Sequence, residues 1–154
     1  MYLMDTNVES VSRTIEAPAV TIYKIIAVYV NHHPNILPEA YFEGLDVLEG
    51  GVGEGTRIDV FAKIKGSRQT LRMGVTEPQP GRVLVETDLD GGITTTFTLE
   101  PLADRQTDLT ISTAWPPASG FQALFNRFFL PRYVRGMLQA ELEQIAEYVA
   151  GLED

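Results

Sequence analysis

Along the chain the spacing of apolar residues alternates between two periods, and the points where it switches delimit the elements. Val8, Val11 and Ile15, in a segment enriched in β-branched residues, predict a first strand over residues 8–15. Ala17-Pro18 ends that strand, and Pro18 suits the first position of a helix. Ile22, Ile25, Ile26, Tyr29 and Val30 then recur at i, i+3, i+4, i+7 and i+8, which predicts an amphipathic helix with one buried stripe. Asn31-His32-His33-Pro34-Asn35 breaks this helix, because Pro34 disfavours helical geometry at His33. A short turn or second helix is expected over residues 36–39.

The period then becomes two. Residues 41–48 read as a strand, and Gly50-Gly51-Val52-Gly53-Glu54-Gly55 is a glycine-dense turn into residues 56–65, where Ile58, Val60, Ala62 and Ile64 alternate with polar residues. Gly66-Ser67 turns the chain into residues 69–76, with Leu71, Met73 and Val75 on one face. Further strands are expected over residues 83–88, 94–100 and 108–115, separated by Asp90-Gly91-Gly92 and Pro101-Leu-Ala-Asp104. Connections this short make neighbours antiparallel. After Pro116-Pro117 the period becomes helical to the end, with Phe121, Leu124, Phe125 and Phe128, then Val134, Leu138, Leu142, Ile145, Val149 and Leu152, predicting one helix over residues 120–152. Pro131 predicts a kink, or two helices abutting near Leu130. With no repeat, low-complexity segment or linker, residues 1–154 are expected to form one α+β domain in which the terminal helix covers the apolar face of the sheet.

This order of elements resembles the helix-grip fold of the START-like (SRPBCC) superfamily, and especially its polyketide cyclase/dehydrase-like branch. The resemblance covers nearly the whole chain. It is carried by Ile15-Glu-Ala-Pro18 opening the first helix, by the Leu48-Glu-Gly-Gly-Val-Gly-Glu-Gly-Thr56 turn, by Thr95-Thr-Phe-Thr-Leu-Glu-Pro101 before Gln106-Thr-Asp-Leu-Thr-Ile, and by the amphipathic C-terminal helix. None of these motifs is catalytic. The resemblance implies a curved antiparallel sheet wrapped around a long C-terminal helix, two short helices after the first strand, and between them a cavity for lipids, sterols, hormones, quinones or polyketides. The chain departs from many such proteins in lacking a tryptophan just after the first helix, where His32, His33 and Pro34 stand, at the expected cavity entrance.

Composition narrows the partners. Twelve Lys plus Arg against twenty-one Asp plus Glu leave a net charge of −9, which opposes binding to nucleic acid or to anionic lipid surfaces. The absence of cysteine excludes disulfides, thiolate metal sites and a Cys nucleophile. The longest purely apolar stretch, Ile25 to Val30, is too short to span a bilayer, so no stable membrane insertion is expected. Met1-Tyr-Leu-Met-Asp5 has no signal-peptide character, so a cytoplasmic location is expected.

Among candidate sites, Gly51-x-Gly53-x-Gly55 runs into a strand and is flanked by Glu49 and Glu54, so it reads as a turn and not as a phosphate loop. His32 and His33 are the only histidines; adjacent positions direct their rings apart, which disfavours a shared metal and leaves a turn-capping role, or one ring at the cavity mouth as a polar contact or proton donor. Ser119 has no nucleophile elbow around it and reads as a helix cap. Asp46, Glu49 and Glu54 read as solvated, whereas Glu43 shares strand parity with Tyr41, Leu45 and Val47 and becomes a buried carboxyl if that face is internal. In a cavity fold core residues are also cavity walls, so Ile58, Val60, Met73, Phe97, Trp115, Phe125 and Phe128 are the expected ligand contacts, with His33 and Tyr41 supplying polarity. The expected function is binding of a small hydrophobic or amphipathic molecule. The alternative is a polyketide cyclase/dehydrase-type enzyme acting in the same cavity, although no acid–base pair stands at convincing spacing, and catalytic residues stay unassigned. No metal and no cofactor are expected. Phe128-Phe129-Leu130 cannot all face one core, so Phe129 and Leu130 are expected to remain partly uncovered, as a ligand gate or as the centre of a weak homodimer.

Overall fold

Strand alternation builds one sheet with one apolar face. The computed structural model describes residues 7–64 and 66–153, with the side chains of residues 122, 125, 126 and 153 outside the description. The strands are β1 (Asn7–Ile15), β2 (Phe42–Glu49), β3 (Arg57–Ile64), β4 (Ser67–Gln79), β5 (Val83–Asp88), β6 (Thr94–Ala103) and β7 (Gln106–Trp115), and the helices are α1 (Ala19–Ala27) and α2 (Gly120–Glu153). The sheet order is β1-β7-β6-β5-β4-β3-β2, with every pair antiparallel. From β2 to β7 each strand pairs with its sequence neighbour, as tight turns require. β1 closes on β7 in the register Val11↔Ile111.

The curved sheet wraps around α2, giving the helix-grip architecture. Its inner face carries Ile58, Val60, Met73, Val75, Leu84, Phe97, Leu99, Leu109, Ile111 and Trp115, all buried. Against it α2 lays Val134, Leu138, Leu142, Ile145 and Val149, a stripe at spacings of four, four, three and four. Burying each such side chain stabilises the fold by about 1.5–3 kcal/mol.

Three local expectations are corrected and one open alternative is resolved. The helix that starts after Pro18 ends at Ala27, with Val28 extended, so Tyr29 and Val30 lie beyond it; Tyr29 still enters the core while Val30 is exposed. The second helical piece is a 3-10 turn at His33–Ile36, three residues earlier than expected, because Pro34 near its start has a preset φ and no N–H to satisfy. α2 is one element running through Pro131. Glu43 is exposed and ion-pairs with Arg68 at 3.5 Å, because the register of β2 shifts between Phe42 and Gly44 and reverses the face that its parity implied.

Candidate functional site

Between α2 and the inner face of the sheet lies a cavity of about 120 Å³. For scale, an apolar cavity of about 150 Å³ admits benzene. Its walls include Val60 and Ala62 from β3, Leu71 and Met73 from β4, Trp115 from β7, and Leu130, Val134, Met137 and Leu138 from α2. Ile64, Ile93, Leu130 and Tyr133 are only half-buried and form its more accessible rim. Thr95 and Thr113, opposite each other on β6 and β7, turn their hydroxyls toward one another at 2.8 Å and thereby satisfy themselves on the wall.

The inner end is polar and buried. His33, Glu86 and Glu141 line it and are respectively 2%, 7% and 4% exposed. The His33 ring stacks on Tyr29 at 4.3 Å between centroids and meets the edge of Phe97 at 6.1 Å. Its Nδ1 lies 2.7 Å from the Ile26 carbonyl, which can only accept, so Nδ1 carries a proton. The other nitrogen, Nε2, faces Glu86 Oε2 at 3.4 Å. The same Glu86 oxygen accepts a 2.5 Å hydrogen bond from the Tyr29 hydroxyl. Burial, and then the neighbouring Glu86, push the Tyr29 hydroxyl up and keep it a donor. On α2, burial first and Glu86 second hold the Glu141 carboxyl well above the ordinary carboxylate range, which favours the protonated form that can donate.

The glycine-dense turn positions this end. The Tyr29 N–H donates to the Gly51 carbonyl at 2.7 Å and the Gly53 N–H to the Ala27 carbonyl at 2.9 Å, so the turn grips the chain just where α1 stops. Gly53 has φ +64, left-handed backbone that suits glycine. Held there, the segment from Ala27 delivers Tyr29 and then His33 inward. His32 turns the other way, its Nδ1 2.8 Å from the Tyr148 hydroxyl on α2.

Of the residues singled out from sequence, His33, Val60, Met73 and Trp115 lie together on the cavity wall. Ile58 and Phe97 are fully buried in the surrounding core and are not lining residues. Tyr41 lies outside the cavity, edge-on to Tyr133 at 5.4 Å. Phe125 falls among the side chains outside the description. Phe128 points to solvent at 63% exposed, whereas Phe129 stacks on Tyr133 at 5.6 Å, the reverse of the expected assignment. The phase is set by the stripe downstream: counting back four from Tyr133 and Val134 reaches Phe129 and Leu130. Tyr29, Glu86 and Glu141 were not singled out from sequence. Glu86 shares strand parity with buried Leu84, and Glu141 stands three residues after Leu138 and four before Ile145, so each is a carboxyl at a core position of an apolar pattern.

A family model described as polyketide cyclase / dehydrase and lipid transport matches residues 8–150. A search by sequence against curated proteins finds no match. Among solved structures, the KanY protein superposes with a TM-score of 0.81 at 23% identity, covering 94% of this chain and 98% of that one. A START superfamily protein from Mycobacterium smegmatis gives 0.71 at 16% identity, covering 94% and 98%. The Zhui aromatase/cyclase from Streptomyces sp. R1128 gives 0.69 at 19% identity, covering 94% of each chain. At these identities the likeness concerns the fold.

Proposed function

Since the chain belongs to the polyketide cyclase/dehydrase and lipid transport family, we propose that it binds a small hydrophobic or amphipathic molecule in the cavity between α2 and the sheet. The observation that carries this reading is an apolar chamber of about 120 Å³ whose inner end holds His33, Glu86 and Glu141. Apolar walls give affinity by burial, and a few fixed polar groups give orientation. Val60, Met73 and Trp115 contact the ligand body in this reading, His33 its polar end, and Ile58 and Phe97 support the wall from behind. The protein acts in the cytoplasm, where a chain without cysteines has no disulfide to lose. Among the described residues no helix is long and apolar enough to cross a membrane. Native mass spectrometry of gently purified protein tests the reading. A mass above that of the bare chain, lost in Ala62→Leu, is expected; bare chain alone, with no uptake of added apolar probes, removes it.

A second reading, an enzyme that cyclises or dehydrates a bound chain, is favoured by the His33–Glu86 contact beside the Glu141 acid, which together could move a proton within the cavity. His33→Ala separates the two: a binding protein keeps its ligand with modest loss, whereas an enzyme keeps its ligand and loses turnover. Self-association is proposed through the start of α2, where Phe121, Leu124 and Phe128 are exposed. Sedimentation of wild type and Phe128→Glu tests it, and a monomer at every concentration removes it.

A further inference from the structure

We propose that the cavity selects uncharged ligands, taking an apolar body that ends in a hydroxyl or carbonyl group and rejecting carboxylates and phosphates. The inference rests on the cavity-binding reading above and names the ligand class within it. Its basis is the juxtaposition of Glu86, on β5, and Glu141, on α2, as lining groups at one buried end of an otherwise apolar chamber.

Three observations fix the sign of that end. Among the described residues lining the cavity there is no lysine or arginine. The one basic side chain, His33, has both nitrogens engaged: Nδ1 donates to the Ile26 carbonyl at 2.7 Å, and Nε2 faces the Glu86 carboxyl at 3.4 Å. Any positive charge on the ring is thus already faced by the Glu86 carboxyl. Glu141, nine-tenths or more buried, projects to the same end and has only the Glu86 carboxyl as a charged neighbour acting on it. An anionic headgroup carried here would lose its hydration, meet two carboxyls and find no cation.

A hydroxyl or carbonyl fits the same atoms. The Glu141 carboxyl, whose protonated form burial favours, can donate to a ligand oxygen, and a ligand hydroxyl can return a hydrogen bond to either carboxyl. Such a group replaces its water contacts without bringing a charge into a buried site, so burial of the ligand body is retained as affinity.

The test is a series of near-isosteric one-ring probes: toluene, benzyl alcohol, benzoate and benzylammonium. Each is titrated at neutral pH into the intact protein, with the methyl signals of Ala62, Met73 and Leu138 followed by NMR. Benzyl alcohol is expected to bind more tightly than toluene, and benzoate to bind more weakly than benzyl alcohol by about tenfold or more, the order of one charge-involving hydrogen-bond mismatch. Glu141→Gln, a neutral isostere that still donates, should keep the preference for the alcohol over toluene, and Glu141→Leu should abolish it. The wild-type series alone is decisive should either variant fold poorly. Benzoate binding as tightly as benzyl alcohol overturns the inference and leaves the cavity reading standing. Benzylammonium as the tightest ligand, with its advantage lost in Glu141→Gln, also overturns it, because Glu141 would then be an ionised counter-charge. If no probe binds, toluene included, the cavity reading falls and the selectivity with it.

Discussion

The imidazole of His33 faces the carboxylate oxygen of Glu86 at 3.4 Å, at the end of a chamber that is otherwise apolar. The two residues reach this point by different means: Glu86 by strand parity on β5, and His33 through a 3-10 turn whose approach is held by the glycine-dense loop. Each is also held from outside the pair, His33 by the Ile26 carbonyl and Glu86 by the Tyr29 hydroxyl, and these bonds make a polar end tolerable there.

His33 should therefore be a stability determinant as well as a lining residue. His33→Phe keeps an aromatic ring against Tyr29 but leaves the Ile26 carbonyl without its donor, which is expected to cost about 1–3 kcal/mol. His33→Ala should cost more, because it also empties the ring's volume. Urea denaturation of the two variants beside wild type measures both, and a His33→Phe as stable as wild type would show that the Nδ1 hydrogen bond contributes nothing.

Glu141 predicts a pH dependence with a definite sign. Its carboxyl is held above its ordinary value of 4.5, by burial and then by Glu86. The folded chain thus keeps a proton that the unfolded chain releases as pH rises past that value, so this contribution to stability is full below it and is lost on going higher. The urea midpoint of wild type should fall as the pH is raised from about 5, and that of Glu141→Gln should fall less. Equal falls in the two proteins would remove Glu141 as the linked group. The raised tyrosines Tyr23, Tyr29 and Tyr133 start from 10.0 and do not titrate in this range.

The close approach of Tyr41 to α2 predicts a sign reversal between two backgrounds. A Cβ on Gly136 would stand 2.8 Å from the Tyr41 hydroxyl oxygen and 3.8 Å from the ring carbon that bears it. Gly136→Ala should gain helix propensity yet lose it to that contact, leaving the protein no more stable. In a Tyr41→Phe background the contact relaxes to ordinary van der Waals distance, and the same substitution should stabilise by about 0.5–1 kcal/mol. A double-mutant cycle on thermal or urea unfolding reads the difference, and additivity would mean that Tyr41 does not set the spacing.

Adjacent phenylalanines on α2 should behave differently. Phe128 is 63% exposed, so Phe128→Ala is expected to change stability by no more than about 0.5 kcal/mol. Phe129 packs on Tyr133, whose hydroxyl donates to the Lys63 carbonyl of β3, so Phe129→Ala should cost at least about 1 kcal/mol more than its neighbour. Matching losses at the two positions would contradict the helical phase described above.

The sequence by itself determined the order of elements, the antiparallel pairing and the apolar faces of sheet and helix, because each depends on a period of two or 3.6 and on turns shorter than a crossover allows. Val60, Met73 and Trp115 were legible as wall residues for that reason. Whatever depended on phase across an irregularity was decided only in three dimensions. One register shift in β2 turned Glu43 outward; the downstream packing of α2 fixed which of Phe128 and Phe129 meets the core; and Tyr41 found Gly136 rather than the cavity. The polar end was hidden for a related reason. Tyr29, His33, Glu86 and Glu141 come from a loop, a 3-10 turn, a strand and a helix, and no spacing along the chain records that four such elements converge. An isolated carboxyl in an apolar pattern marks a position to inspect, but its neighbours, and hence its charge and its chemistry, are set by tertiary contact.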